Sequence, residues 1–255
     1  MVNRHMNKFR LAAVFSGIAA LLILMWASSH TSGAQSSKRT IQAKENWTLD
    51  LDAHLESKGI KLGSPVFLRI VKSQDGRARD GYLEAFIEDD DGRFHLLKAW
   101  DICTWSGKLG PKLKEGDGQS PEGFYYVTPG SMNPHSSYHL SFNLGFPNAF
   151  DRVHGRTGSY LMVHGHCVSI GCYAMTDDGI EEIYALMSAA FDNGQSFIRV
   201  HVFPFPMTPD NLGKFETNPN IDFWRNLKLG WDWFEDYRRP PDVTVEEKTY
   251  RFSGG

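Results

Sequence analysis

From Val66 to Phe203 the apolar residues come in short branched and aromatic runs, interrupted by one clear stretch at helical spacing. That alternation of period constrains the chain most, because a strand pattern of period two and a helix pattern of period 3.6 cannot substitute for one another. Val66 to Val71, Tyr82 to Ile87, Phe94 to Trp100, Gly123 to Val127, Tyr138 to Phe142, Tyr160 to His164 and Ser196 to Phe203 read as strands. The second and third flank Asp89-Asp90-Asp91-Gly92, a turn that makes them a hairpin. After Thr176, residues Ile180, Ile183, Tyr184, Met187 and Phe191 recur at helical spacing. Thr176 suits the cap, Asp177 and Asp178 suit the positive N-terminal end, and Asn193-Gly194 suits the stop. The reading is a mainly β domain with a few helices.

The ends are built differently. Arg4, Lys8 and Arg10 precede an apolar run from Leu11 to Ala27, followed by small residues up to Ala34. This is the order of a secretory signal, and the run is also just long enough to serve as an uncleaved anchor. Residues 1–34 are therefore read as a signal peptide or membrane anchor, 35–64 as linker and short helix (Thr48 to Lys58), 65–204 as the main domain, and 205–255 as an extension. That extension is rich in aromatics, with Trp224, Trp231, Trp233, Phe234 and Tyr237 at spacings that suit short helices laid on the domain. A periplasmic or cell-envelope location follows. The net charge of -3 offers no basic field for phosphates, so nucleic acid is not an expected partner. Three cysteines, Cys103, Cys167 and Cys172, are an odd number for an exported chain, so at least one stands outside any internal bridge.

Chemistry concentrates in His164-Gly165-His166-Cys167-Val168-Ser169-Ile170-Gly171-Cys172, which leads into the capped helix. A thiol attacks acyl carbon as thiolate, and an ordinary cysteine pKa of about 8.5 leaves little thiolate at neutral pH. It needs a base, and His164 at a strand end is one tight loop from Cys172. Gly165 and Gly171 permit the sharp path, and backbone N–H groups from Gly171 to Tyr173 suit an oxyanion. Ser169 is placed to orient the loop or to satisfy local backbone. A rival reading is zinc held by His164, His166, Cys167 and Cys172, since the two histidines alternate onto one strand face.

The same segment resembles the catalytic signature of L,D-transpeptidases of the YkuD type, a His-Gly followed by Ser-x-Gly-Cys. Gly116 to Phe124 is similar to the family's Thr-Pro-x-Gly-x-Phe stretch at the start of a strand. Asn143 to Asn148, His154 to Gly158, Leu161 to Gly165 and Cys172 to Asp177 resemble the YafK-like branch. The resemblance spans roughly Val66 to Phe203. It implies a β-sandwich-like catalytic fold with a helical C-terminal extension. It also implies attack by Cys172, with His164 as base, on the L-centre carbonyl of meso-diaminopimelate in peptidoglycan stem peptides. A thioester forms, D-alanine leaves, and an amine or water resolves the thioester; no cofactor and no metal are expected. The branch includes an enzyme that releases a lipoprotein from the stem peptide, so a hydrolase of the same fold, with a murein-linked lipoprotein as partner, is the alternative. A reading of another class is a non-catalytic peptidoglycan-binding module.

The chain departs from the common family pattern at Ile170, where most members have His, and at Tyr173-Ala174, where many have Val-Arg. The second change removes a cation that could hold a substrate carboxylate, for which Arg156 or Arg152 is the expected substitute; structural ion pairs are the competing role. Ile170 is expected to desolvate the sulfur. His164 is nevertheless expected to hold Cys172 substantially ionised at neutral pH. Cys103 and Cys167 are the pair to bridge if a disulfide exists, and two buried thiols are the alternative.

Overall fold

The computed structural model describes residues 41–45 and 60–254. The expected signal or anchor and the short helix at Thr48 to Lys58 lie outside the described residues. Residues 41–45, read as part of a linker, form a turn of helix, α1, with Ala43 buried and Lys44 3.1 Å from Asp192. Among the described residues no helix is long and apolar enough to cross a membrane.

The first sheet has the order β3-β2-β1-β10-β5, made of β1 (Val66–Val71), β2 (Tyr82–Glu88), β3 (Phe94–Asp101), β5 (Gly123–Val127) and β10 (Ile198–Phe203). Only the β1–β10 pair is parallel. All six residues of β1 are buried, because both faces are covered. Val66, Leu68 and Ile70 face the larger core, which they share with the helix α3 (Asp177–Asp192) and with the second sheet. Phe67 faces the other way, against Phe86, Phe94 and Phe234. The hairpin turn forms as expected, with Asp89 N–H on the Arg93 carbonyl and Gly92 N–H on the Asp89 carbonyl.

The second sheet runs β4-β9-β8-β7-β6 in very short strands: β4 (Thr104–Trp105), β6 (Met132–Asn133), β7 (Ser141–Asn143), β8 (Met162–His164) and β9 (Tyr173–Ala174). Two expected strands start later than their sequence suggests. His139 (φ 69°) and Tyr160 (φ 54°) are left-handed, a conformation that cannot continue a pleated strand, so β7 and β8 begin at Ser141 and Met162. Helix α3 is capped by Thr176, whose hydroxyl accepts from Gly179 N–H, and it ends at Asn193.

After a short helix α2 (Ala149–Val153) and a further one, α4 (Pro209–Gly213), the C-terminal part is one long helix, α5 (Ile221–Tyr237), and a hairpin. α5 buries Ile221, Trp224, Leu227, Gly230, Trp231 and Phe234, a helical stripe. It docks on the face of the first sheet opposite α3, where Arg69 of β1 bonds Glu84 and Glu235 at 2.6 Å each and stacks on Trp231. The hairpin, β11 (Asp242–Glu246) with β12 (Thr249–Ser253), was not expected. Its turn residues Glu247 and Lys248 are both left-handed, the geometry of a tight hairpin without the glycine or asparagine that usually advertises one. The aromatic C-terminal section is therefore mostly cover for the sheet: Trp224, Trp231, Phe234 and Tyr250 are buried.

Candidate functional site

β8 and β9 are parallel neighbours, yet only residues 165–172 join them. A parallel connection normally takes a dozen or more residues. The short path works because the strands are short and His166, Cys167 and Gly171 all take positive φ. Register pairs Val163 with Tyr173 and His164 with Ala174. Alternation then sends Val163 and Tyr173 into the core and leaves His164 and Cys172 together on the opposite face.

Cys172 is half-buried, with Sγ 3.4 Å from Met162 N and 3.7 Å from the Tyr160 carbonyl. The His164 ring is buried beneath Tyr138, with ring centroids 4.7 Å apart. Its Nδ1 lies 2.6 Å from the Gly165 carbonyl, which can only accept. Nδ1 therefore carries the hydrogen, and in the neutral ring Nε2 carries the lone pair. Among the described residues no hydrogen bond joins this ring to Sγ.

Burial pushes the Cys172 thiol up, against the Met162 N–H and the charge of Lys112. Burial likewise pushes His164 down, against its bond to the Gly165 carbonyl and helped by His166. Both shifts run toward a thiol and a neutral imidazole at rest, against the expected thiolate and imidazolium. The physical reason is that both groups lose water and, among the described residues, no hydrogen bond between them compensates. Ile170 is not the cause, because it is 92% exposed.

The loop is held from several sides. Cys103 and Cys167 form a disulfide, leaving Cys172 free. This rules out the zinc set read from sequence, since Cys167 has no thiolate to give. Ser120 and Ser169 both donate to the Cys172 carbonyl, at 2.9 and 2.7 Å, and Ser106 lies 2.7 Å from Ser169. Because the peptide is planar and trans, fixing that carbonyl also fixes the opposite direction of the Tyr173 N–H. The Tyr173 hydroxyl donates to the Pro121 carbonyl at 2.7 Å. Gly171 sits at φ 105°, where a side chain would be strained. Gly165 serves packing instead: a Cβ there would lie 2.6 Å from Asp177 Oδ1.

The two candidate substrate cations are engaged elsewhere. Arg156 is buried, bonds Asp151 at 2.8 Å and stacks on Phe150 and Phe223, a structural ion pair in place of a free clamp. Arg152 donates to the Pro147 carbonyl. The cation whose field reaches Cys172 is Lys112, bonded to Asp117 at 2.5 Å.

No family model matches the chain. A curated protein of Escherichia coli K12, "Putative L,D-transpeptidase YafK", is 45% identical over 195 residues, which is 76% of this chain and 76% of that protein. The chain belongs to the L,D-transpeptidase family. The same protein of Escherichia coli O157:H7 matches equally well. Among solved structures, the helical cell shape determining protein Pgp2 of Campylobacter jejuni aligns at TM-score 0.43 and 17% identity over 77% of this chain and 80% of that one. Bd1075 of Bdellovibrio bacteriovorus aligns at TM-score 0.36 and 14% identity over 74% and 85%. These two likenesses are too distant to carry residue roles across.

In this L,D-transpeptidase-family chain the supports that sequence reasoning missed are Ser106, Ser120, Lys72, Glu122 and Lys112. Lys72 is wholly buried and donates to the Ser120 carbonyl at 2.6 Å and to Glu122 at 3.0 Å. Glu122 also accepts from Gly110 N–H at 2.7 Å and Trp224 Nε1–H at 2.9 Å. A chain of bonds thus runs from α5 through Glu122 and Lys72 to Ser120 and the Cys172 carbonyl. The available signal was Ser120-Pro121-Glu122-Gly123, where Ser120 stands in the place of the family's threonine.

Proposed function

We propose that the chain is a peptidoglycan-modifying cysteine L,D-transpeptidase that works through a Cys172 thioester. One observation carries this reading: the free thiol of Cys172 shares a strand face with an imidazole whose Nε2 lone pair is available. His164 Nε2 takes the thiol proton as Sγ attacks the L-centre carbonyl of meso-diaminopimelate in a stem peptide. Backbone N–H groups of the Gly171–Tyr173 stretch receive the oxyanion. As the intermediate collapses, the bond to the leaving D-alanine breaks, its nitrogen takes the proton from His164, and a thioester remains. An incoming amine then gives its proton to His164 as it attacks the thioester; the C–S bond breaks, the new amide forms, and His164 returns the proton to Sγ. Because no hydrogen bond joins His164 to Cys172 at rest among the described residues, bound substrate completes the alignment. The disulfide, stable in oxidising compartments, and the apolar N-terminal run support a cell-envelope location.

The test is to incubate the full protein and Cys172→Ala with defined tetrapeptide muropeptides, with and without an acceptor stem peptide, and with lipoprotein-linked muropeptides. Products and protein are read by mass. The expected results are cross-linked product, an acyl adduct on Cys172, and no turnover by Cys172→Ala. Turnover by Cys172→Ala would remove the thiol from the mechanism. Release of lipoprotein or D-alanine without cross-linking would keep the nucleophile and make the enzyme a hydrolase.

A further inference from the structure

We propose that His139, His166, Asp177 and Glu181 form a binding site for a divalent transition-metal ion of the zinc type, which takes His166 from the loop between His164 and Cys172 but neither of those two residues. Ligand atoms of His139, His166 and Asp177 all lie within 4.8 Å of one another. His166 Nε2 is 3.7 Å from Asp177 Oδ2, and His139 Nε2 is 2.5 Å from Glu181 Oε1. Tetrahedral zinc with ligands at about 2.0–2.2 Å places its ligands roughly 3.4 Å apart, so the group needs to close by about an ångström, within reach of side-chain rotation. Glu181 would turn from hydrogen-bond partner of His139 to fourth ligand or outer support.

Three separate segments converge to make this group. Asp177 and Glu181 stand one turn apart on the same face of α3, His139 precedes β7, and His166 follows β8. Their convergence depends on Gly165, where a Cβ would lie 2.6 Å from Asp177 Oδ1 and 3.0 Å from His139 Cβ. The His139 side chain is 11% exposed, whereas His166 and Asp177 are 44% exposed, so an ion reaches the group from solvent. Two imidazoles with two carboxylates select zinc, copper, nickel or iron over calcium and magnesium, which take oxygen ligands. His166 thus joins a ligand set different from the cysteine-containing one that sequence suggested. Occupancy would tie the loop that ends at Cys172 to the first turn of α3.

The experiment uses the full protein stripped with a chelator and desalted, then titrated with zinc chloride by calorimetry, with retained zinc counted after gel filtration. Wild type and Cys172→Ala are each expected to bind one zinc, and their melting temperatures to rise with zinc. His139→Ala, His166→Ala and Asp177→Asn should each bind at least tenfold more weakly while keeping the wild-type circular dichroism. His166→Ala is the safest of these for folding, because its side chain is largely exposed. Absence of binding by wild type, loss of binding in Cys172→Ala, or binding unchanged in His166→Ala and Asp177→Asn would each overturn the site.

Discussion

The placement of Cys172 and His164 on one strand face was legible because the two are close in sequence: one strand end and one tight loop, with Gly171 at positive φ, define it. Their protonation was not legible, since it depends on how much water each group loses and on whether the rings and sulfur touch. The same limit applies to Ile170, whose apolar side chain projects into solvent, and to Arg156, whose partner Asp151 lies five residues back yet is buried with it. A prediction follows at this scale. With Cys103 and Cys167 bridged, iodoacetamide reports on Cys172 without a cysteine-free background. Because burial raises the thiol, the alkylation rate should climb with a midpoint at or above the ordinary value of about 8.5. His164→Ala should leave that midpoint nearly unchanged, since burial, the Met162 N–H and Lys112, not the His164 ring, shift the thiol. The measurement is the rate from pH 5 to 10 with a chelator present. A wild-type plateau below pH 7 that disappears in His164→Ala would restore the resting ion pair.

At the scale of elements, most of the first sheet and α3 could be read from pattern, because long runs and a capped helix carry strong local signals. The second sheet was harder: its strands are two or three residues long, too short for periodicity to show. The aromatic spacings around α5 suited short helices, whereas the structure makes one helix that runs through Gly230, a residue unfavourable in a helix interior. The structure gives that glycine a packing role. A Cβ there would lie 2.6 Å from Phe124 Cζ and from Phe252 Cε1. Phe124 cannot swing away, because its ring is surrounded by those of His201, Phe203 and Tyr250 at 4.7, 5.8 and 4.8 Å. In an exposed helix Gly→Ala gains about 1 kcal/mol, whereas overpacking a core costs about 1–3 kcal/mol. Gly230→Ala is therefore expected to destabilise by about 1 kcal/mol. Urea denaturation decides it, and a stabilised variant would show that α5 has room to move off the sheet.

At the scale of the whole molecule, the first sheet is a middle layer, with α3 and the second sheet on one face and α5 with the hairpin on the other. β1 is buried along its whole length, but sequence does not show which polar residues end up sealed inside. His201 of β10 is one of these. It is buried among Phe67, Phe124 and Phe203, and among the described residues its Nδ1 has no hydrogen-bond partner. Desolvation, then the charges of Arg199 and Arg69, hold its pKa well below the ordinary value of 6.5. Those arginines are themselves paired, Arg199 with Asp242 and Arg69 with Glu84 and Glu235. The folded pKa lies below the unfolded one, so between the two the unfolded chain binds a proton that the folded chain refuses. Stability is therefore fully present above about pH 6.5 and declines as pH falls, by up to about 1.4 kcal/mol per pH unit from this residue until its folded pKa is reached. His201→Met, which fills the space without a titrating group, removes that slope even where it lowers stability at pH 8. In unfolding free energies measured in urea at pH 8, 6.5, 5.5 and 4.5, wild type should lose stability relative to His201→Met as pH falls. Parallel curves would mean that another group governs acid unfolding.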